Sequence, residues 1–201
     1  VRATNGVGLS AVVMSDGTTV SAGYSFSSDS PATVDEGAGT VVVTVELSAA
    51  SVNQESVDFA VIGVTASQPA DFALQIGQLV YEPGETEKTV TISIVDDLVD
   101  EVDETVVVVL GGLDESVEHE FTIIDNDEAG IVVSPTSGLV TSEIGGSDQF
   151  TIVLSSEPTG TVTVDLATSD AGEGTVDPVS VVFAAGTWDT PTCDVVCPLQ
   201  S

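Results

Sequence analysis

The sequence predicts an all-β protein made of tandem immunoglobulin-like β-sandwiches, the second of them incomplete. Three observations support this fold class. Val, Ile and Thr dominate the apolar and half-polar positions while aromatic residues make up 4% of the chain, a composition that suits pleated, half-buried surfaces. The 19 Gly and 8 Pro residues interrupt short apolar runs, and no long segment has a helical apolar period. The chain also repeats one pattern twice.

The first copy of the pattern extends from residue 24 to residue 127. Its apolar and polar residues alternate in short segments separated by turn residues, as in half-buried strands. Seven strands in about 100 residues are typical of an immunoglobulin-like sandwich. The predicted strands are 24–28, 40–48, 56–62, 78–82, 88–95, 104–110 and 118–124.

The second copy, residues 128–201, repeats the first at a nearly constant spacing. Glu36 and Glu143 each open an alternating stretch at an offset of 107 residues, and Leu47 and Leu154 have the same offset. The segment 79–84 resembles 181–186. Only 15 residues follow Gly186, so this copy lacks counterparts of the last two strands, and we expect it to have open edges.

Residues 1–23 precede the first copy and form a separate N-terminal segment. Asp16-Gly17 lies between two β-like runs, a signal for a hairpin. These strands have no place in the first sandwich and are candidate donor strands for the second domain of a neighbouring copy. Head-to-tail donation of this kind gives an open filament. The competing interpretation is that the chain is a fragment of a longer multidomain protein.

The charge balance narrows the set of partners. The chain has 33 Asp and Glu residues against 2 basic ones, and its net charge is −31. Such a surface repels nucleic acid and anionic membrane surfaces, so we expect neither nucleic-acid binding nor membrane insertion. It favours cation binding, solubility or life in high salt.

Carboxylates gather directly after two predicted strands. Six lie within residues 96–104, and Asp125, Asp127 and Glu128 follow the strand that ends at Ile124. At ~4 Å and an effective dielectric near 20, each like-charge pair costs on the order of 4 kcal/mol. These carboxylates must therefore either spread into water or bind hard cations, and the second possibility predicts a Ca²⁺ site.

Three motifs of the first copy belong together: Tyr81-Glu82-Pro83-Gly84 before a strand, the acidic run 96–104, and Ile123-Ile124-Asp125-Asn126-Asp127. In these motifs the first copy resembles the Calx-β domain of sodium/calcium exchangers, integrin β4 and large bacterial surface proteins. The sequence departs from calcium-rich members at Leu98 and Asn126, where Asp is frequent, which predicts fewer ions or weaker binding. The ligands that the resemblance implies are Glu36, Asp71, Asp96, Asp97, Val99 (through its carbonyl), Glu101, Glu104, Asp125 and Asp127.

The same sequence gives little sign of catalysis. It has no Gly-x-Ser-x-Gly, phosphate-binding loop or histidine-based nucleophile system, and the single His119 is expected to be a strand-surface residue. Asp100 and Asp103 are expected to be solvated. Cys193 and Cys197 are interpreted as a late disulfide or as two free thiols.

These features predict an extracellular or cell-surface, calcium-binding structural or adhesive module that is not an enzyme. The alternative is a self-assembling filament subunit that joins copies of itself by β-strand addition.

Overall fold

The structure is a computed structural model that describes residues 10–13, 19–111, 117–140, 146–169 and 174–190, with side chains described from residue 23 onward. These residues fall into two compact units. The first contains the described residues up to 96 together with residues 102–126, and the second contains 97–101 and the described residues from 127. Asp16, Gly17, Glu143, Cys193 and Cys197 lie outside the described residues, so the predictions for them stay predictions.

The first unit is a sandwich of two sheets, which confirms the predicted fold class. Its strands are β3 (Tyr24–Phe26), β4 (Thr33–Asp35), β5 (Thr40–Leu47), β6 (Glu55–Gly63), β7 (Ile76–Tyr81), β8 (Glu87–Ser93), β9 (Glu104–Leu110) and β10 (Val117–Ile124). One sheet has five strands in the order β4-β10-β9-β6-β7, and the other has three in the order β3-β5-β8.

The apolar alternation of these strands forms the core between the sheets. Val41, Val43, Val45 and Leu47 of β5 are buried while the residues between them are exposed or half-buried. Burying one such side chain stabilises the fold by roughly 1.5–3 kcal/mol. Strands of both sheets contribute to this one core.

Strand β4 was not predicted from the sequence. It is three residues long, too short to show an alternating pattern, and it pairs in parallel with the end of β10, Thr33 opposite Thr122. This pairing is a tertiary contact between distant segments. It places the residues that follow β4 beside the end of β10.

His119, predicted to be a strand-surface residue, is only partly exposed. It lies on the same side of β10 as the buried Phe121 and Ile123, and it is half-buried. Its Nε2 lies 2.8 Å from the carbonyl oxygen of Pro31, and its ring centroid is 5.3 Å from that of Phe26. The alternation of strand β10 therefore points this histidine inward.

Two strands precede the sandwich. β1 (Ser10–Val13) pairs antiparallel with β2 (Thr19–Ala22), with Ser10 opposite Ala22, and the pair forms a two-stranded sheet of its own. Antiparallel pairing of two consecutive strands is the arrangement found in a β-hairpin.

The described part of the second unit contains four further strands. β11 (Ile131–Ser134) pairs antiparallel with β12 (Thr151–Leu154), and β13 (Val162–Asp165) pairs antiparallel with β14 (Ser180–Phe183). Their core is built on Ile152, Leu154, Val181 and Phe183, with Trp188 packed against it.

Corresponding positions of the two copies have the same structural roles. Leu47 and Leu154 both end a strand in a core, and Tyr81 and Phe183 are both fully buried. Gly84 and Gly186 both have positive φ, 90° and 76°, a conformation that favours glycine. The internal repeat read from the sequence is thus a structural repeat. No helix in the described part of the chain is long and apolar enough to cross a membrane.

Candidate metal centre

The first element of the candidate site is a short 3-10 helix, Glu36–Ala38, directly after β4. The carboxylate of Asp35 accepts a hydrogen bond from the backbone N–H of Gly37 at 3.0 Å and so caps the helix. The turn ends at Gly39, which has a φ of 72°. This local geometry holds Glu36 in a buried position, an unusual place for a glutamate.

The second element is the loop between β6 and β7, which carries the buried Asp71. Oδ2 of Asp71 accepts hydrogen bonds from the backbone N–H of Ser67 at 2.5 Å and from its hydroxyl at 3.0 Å. The carbonyl oxygen of Asp71 accepts from the N–H of Val95 at 2.9 Å, just before the acidic run. The fully buried Phe72 forms an isolated antiparallel β-bridge with Ile94. The loop is therefore tied to the end of β8.

The acidic run follows β8 and begins with two carboxylates that both accept hydrogen bonds. Asp96 is exposed, and its Oδ1 accepts from the side-chain amide of Asn126 at 3.0 Å. Asp97 is half-buried, and its Oδ1 accepts from the backbone N–H of Val99 at 2.8 Å. The described hydrogen bond of Val99 thus involves its N–H and not the carbonyl that was predicted to be a ligand.

The last element is the segment after β10. The backbone N–H of Asp125 donates to Oδ1 of Asp103 at 3.2 Å. Oδ1 of Asp125 is buried and accepts no hydrogen bond from the described part of the chain, and Oδ2 of Asp127 is buried as well. A buried carboxylate oxygen without a donor is costly unless a cation balances it.

Two groups of carboxylates among the described residues of the first unit have the arrangement of a cation site: Glu36 with Asp125, and Asp71 with Glu104. The ligand oxygens of Glu36 and Asp125 lie within 4.8 Å of each other, and so do those of Asp71 and Glu104. Asp127 lies two residues after Asp125 in the sequence, and Glu101 lies three residues before Glu104. Four of the nine predicted ligands form these groups. Glu101 and Asp127 belong to the second unit, and Asp96, Asp97 and Val99 are not part of either group.

The physical chemistry of the two groups favours a hard cation. Two carboxylates at that spacing repel each other by about 3 kcal/mol at an effective dielectric near 20. Both groups offer only carboxylate oxygens, the ligand type of calcium and magnesium rather than of zinc or copper. The residues present therefore fit a hard divalent ion.

Sequence reasoning missed three residues that shape the site. Asn126 appeared only as a lost charge, yet it bonds to Asp96. Asp103, predicted to be solvated, is exposed but also accepts the N–H of Asp125. Ser67 orients Asp71 through two hydrogen bonds to its carboxylate. The contacts of Asn126 and Asp103 join residues that are distant in sequence. The contact of Ser67 uses a serine, a common loop residue. A spacing pattern in the sequence therefore does not predict these contacts.

Comparison with known proteins assigns the family. The sequence profile of the Calx-beta domain matches residues 21–137 and again residues 124–186. These matches span most of the chain and both copies of its repeat, so the protein belongs to the Calx-beta domain family. A search of the curated proteins finds no match.

Several solved structures are similar to the chain. The apo form of the Calx CBD1 domain is 29% identical over 52% of this chain and 96% of its own, with a TM-score of 0.47. The structure of CBD12 from CALX1.2 is 21% identical over 86% of this chain and 75% of its own, with a TM-score of 0.47. A structure described as the calcium binding domain CBD12 of CALX1.1 is 24% identical over 89% and 76%, with a TM-score of 0.48.

Proposed function

We propose that this protein is a calcium-binding β-sandwich module with a structural or adhesive role outside the cell, and that it is not an enzyme. The observation that carries the calcium assignment is the buried Oδ1 of Asp125. This oxygen accepts no hydrogen bond from the residues that the structure describes, and its carboxylate lies within 4.8 Å of that of Glu36. A cation supplies the balancing charge that no described side chain gives this atom.

Calcium suits the candidate ligands better than magnesium. Calcium takes 6–8 oxygen ligands at flexible geometry, whereas magnesium demands a near-ideal octahedron and keeps several waters. The candidate carboxylates come from loops of different length, and several of their oxygens are already engaged by Ser67, Val99 and Asn126. Such an irregular donor set fits the more tolerant ion.

A bound ion would stiffen one end of the first sandwich. Glu36, Asp71, Glu104 and Asp125 belong to four segments that are far apart in sequence. An ion that binds the folded form only stabilises it by RT ln(1 + [L]/Kd). Extracellular calcium modules have dissociation constants of roughly 10⁻⁴–10⁻³ M, so a surface protein of this type would be rigid outside the cell. Membership of the Calx-beta family supports this role.

Isothermal titration of the full chain with CaCl₂ tests the ligand assignment. Asp125→Asn and Glu36→Gln should each weaken binding by about tenfold or more, because each removes one charged ligand from the first group. Asp71→Asn tests the second group in the same way. Asp58→Asn is the matched control, since Asp58 lies on β6 with its carboxylate accepting from Gln78 at 2.8 Å. Equal affinity in all four variants would contradict the assignment.

The proposed domains are an N-terminal segment of residues 1–23, a sandwich of residues 24–127 and a second domain of residues 128–201. Val99, through its carbonyl oxygen, and Asp96 and Asp97, through their carboxylates, remain proposed ligands.

A second candidate function is a filament subunit that adds its N-terminal strands to a neighbouring copy. The observation that favours it is that, among the strands that the structure describes, β1 and β2 pair with each other and join neither sheet of the sandwich. Electron microscopy of the full chain and of a variant lacking residues 1–23 tests it. Filaments that need residues 1–23 would support strand donation, and filaments that form without them would contradict it.

A further inference from the structure

The outer face of the five-stranded sheet carries an apolar patch that follows from its register. Val109 of β9 is opposite Ala60 of β6, which is opposite Ile76 of β7. Val107 of β9 is opposite Ile62 of β6. These side chains alternate with the buried core residues of the same strands, so all five point away from the core. They form two adjacent apolar rows, named here the β9-β6-β7 patch.

The patch is exposed to solvent. Ile62 is 46% exposed and Ile76 is 76% exposed, while Val107 and Val109 are half-buried. A single exposed isoleucine is ordinary, but neighbouring apolar residues on adjacent strands of a solvated face are not.

The outer face of the three-stranded sheet shows what a purely solvated face looks like in this chain. Its outward positions are mostly threonine and serine: Thr40 and Thr44 on β5, and Thr89, Thr91 and Ser93 on β8. Threonine has nearly the shape of valine and a similar preference for strands. The outward positions of the three-stranded sheet are thus mostly hydroxyl residues, whereas those of the β9-β6-β7 patch are apolar. Strand formation alone does not explain the patch.

Two glutamates lie at one end of the apolar rows. Glu118 of β10 is opposite Val109, and Glu120 is opposite Val107, so both are in cross-strand contact with the patch on its outer face. Both are exposed. At the other side, β7 is the edge strand of the sheet, so the rows are open there. The patch is therefore an apolar surface with a negative rim on one side.

We propose that the β9-β6-β7 patch is a docking surface for a polypeptide that presents an apolar centre flanked by lysine or arginine. Apolar contact would cover the two rows, and the basic side chains would meet Glu118 and Glu120. Charge complementarity selects this partner over a second copy of the same chain, because two chains of net charge −31 repel.

Nuclear magnetic resonance titration of the full chain, at constant calcium and about 0.15 M salt, tests the proposal. At that ionic strength long-range attraction is largely screened. The probe is a short peptide with a valine-rich centre and lysines at both ends. One control peptide has serine in place of valine, and another has glutamate in place of lysine. We expect the valine–lysine peptide to shift amide signals of β6, β7 and β9, and both controls to bind at least about tenfold more weakly.

Variants of the chain locate the binding. Ile62→Ser combined with Ile76→Ser should weaken the valine–lysine peptide by about tenfold or more. Val42→Ser is the matched control, because Val42 is 45% exposed on the opposite sheet. Glu118→Gln combined with Glu120→Gln should weaken binding severalfold and flatten its salt dependence. Glu46→Gln combined with Glu87→Gln, a cross-strand pair on the opposite sheet, is the control for that change.

Three results would overturn the proposal: no binding of the valine–lysine peptide, equal binding of the serine control, or unchanged binding by the isoleucine variant with unchanged melting. Sedimentation of a dimer that the isoleucine variant abolishes would assign the patch to a second copy and would overturn it as well.

Discussion

The side-chain amide of Asn126 donates a hydrogen bond to Oδ1 of Asp96 at 3.0 Å. This bond joins the segment after β10 to the segment after β8, which are 30 residues apart in sequence. It also brings a neutral amide donor to one carboxylate of the acidic run. The contact therefore satisfies one oxygen of this acidic end and adds no charge to it.

Asn126→Asp should lower the stability of the ion-free protein. The change removes a hydrogen bond, worth about 1 kcal/mol, and places a second negative charge beside Asp96. In calcium the same change adds a ligand, so affinity should rise and the loss of stability should shrink or reverse. Thermal unfolding of the variant in EDTA and in calcium measures both effects.

The control for that experiment is Asn53→Asp, which adds the same charge in an exposed loop near Ser51. It should change the melting temperature equally in EDTA and in calcium. If Asn126→Asp behaves like this control, the contact with Asp96 has no special role.

The sequence predicted seven of the eight strands of the first sandwich, because apolar alternation is a local pattern. Alternation of apolar residues identifies a strand such as Thr40–Leu47 without knowledge of its partner. Glu36, Asp71 and Asp125 were found through the motif of a family that the chain resembles. Membership of that family is confirmed, whereas the ligand role of each residue stays a prediction.

The remaining features depend on contacts between distant segments. Strand Thr33–Asp35 exists only through its parallel pairing with β10. The inward position of His119 depends on the phase of a strand whose apolar pattern is interrupted by two glutamates. The bond between Asn126 and Asp96 needs both loops in place. Local pattern cannot supply any of these.

Gly63, at the end of β6, has no room for a side chain because the backbone of Ala66 lies very close to it. A Cβ on this residue would lie 1.9 Å from the carbonyl oxygen of Ala66 and 3.0 Å from the ring of Phe72. Gly63→Ala should therefore destabilise the first sandwich by about 1–3 kcal/mol, the usual cost of overpacking. Urea unfolding measures the change. Gly160→Ala, whose Cβ would meet nothing within 4 Å, should be close to neutral, and equal effects of the two changes would contradict this account.

Tyr81 has a structural hydrogen bond inside the core of the first sandwich. Its hydroxyl donates to the carbonyl oxygen of Val45 at 3.0 Å, between the two sheets. Burial raises the pKa of its phenol, and the neighbouring Tyr24 contributes to the rise. Tyr81→Phe should cost about 0.5–1.5 kcal/mol in the free energy of unfolding. A variant as stable as the parent would show that the bond contributes nothing net.

Glu85 should titrate at lower pH than an ordinary glutamate. The hydrogen bond from Lys88 is the main cause of its lowered pKa, and the backbone N–H of Glu82 adds to it. Because the pKa is lower in the folded state, the stabilisation is present above the unfolded pKa of about 4.3 and is lost as the pH falls through the folded value. A carboxyl titration by nuclear magnetic resonance measures the shift. Lys88→Met should return the pKa toward normal, and an unchanged pKa in that variant would contradict the role of Lys88.

The melting temperature of the full chain in EDTA and in excess calcium is the most direct test of the central claim, that the acidic end of the first sandwich binds calcium. At 100 times the dissociation constant a single ion stabilises the folded state by about 2.7 kcal/mol, or roughly 10 °C for a sandwich of this size. We predict a rise of that order in calcium that Asp125→Asn reduces. Identical melting in EDTA and in calcium would contradict the account.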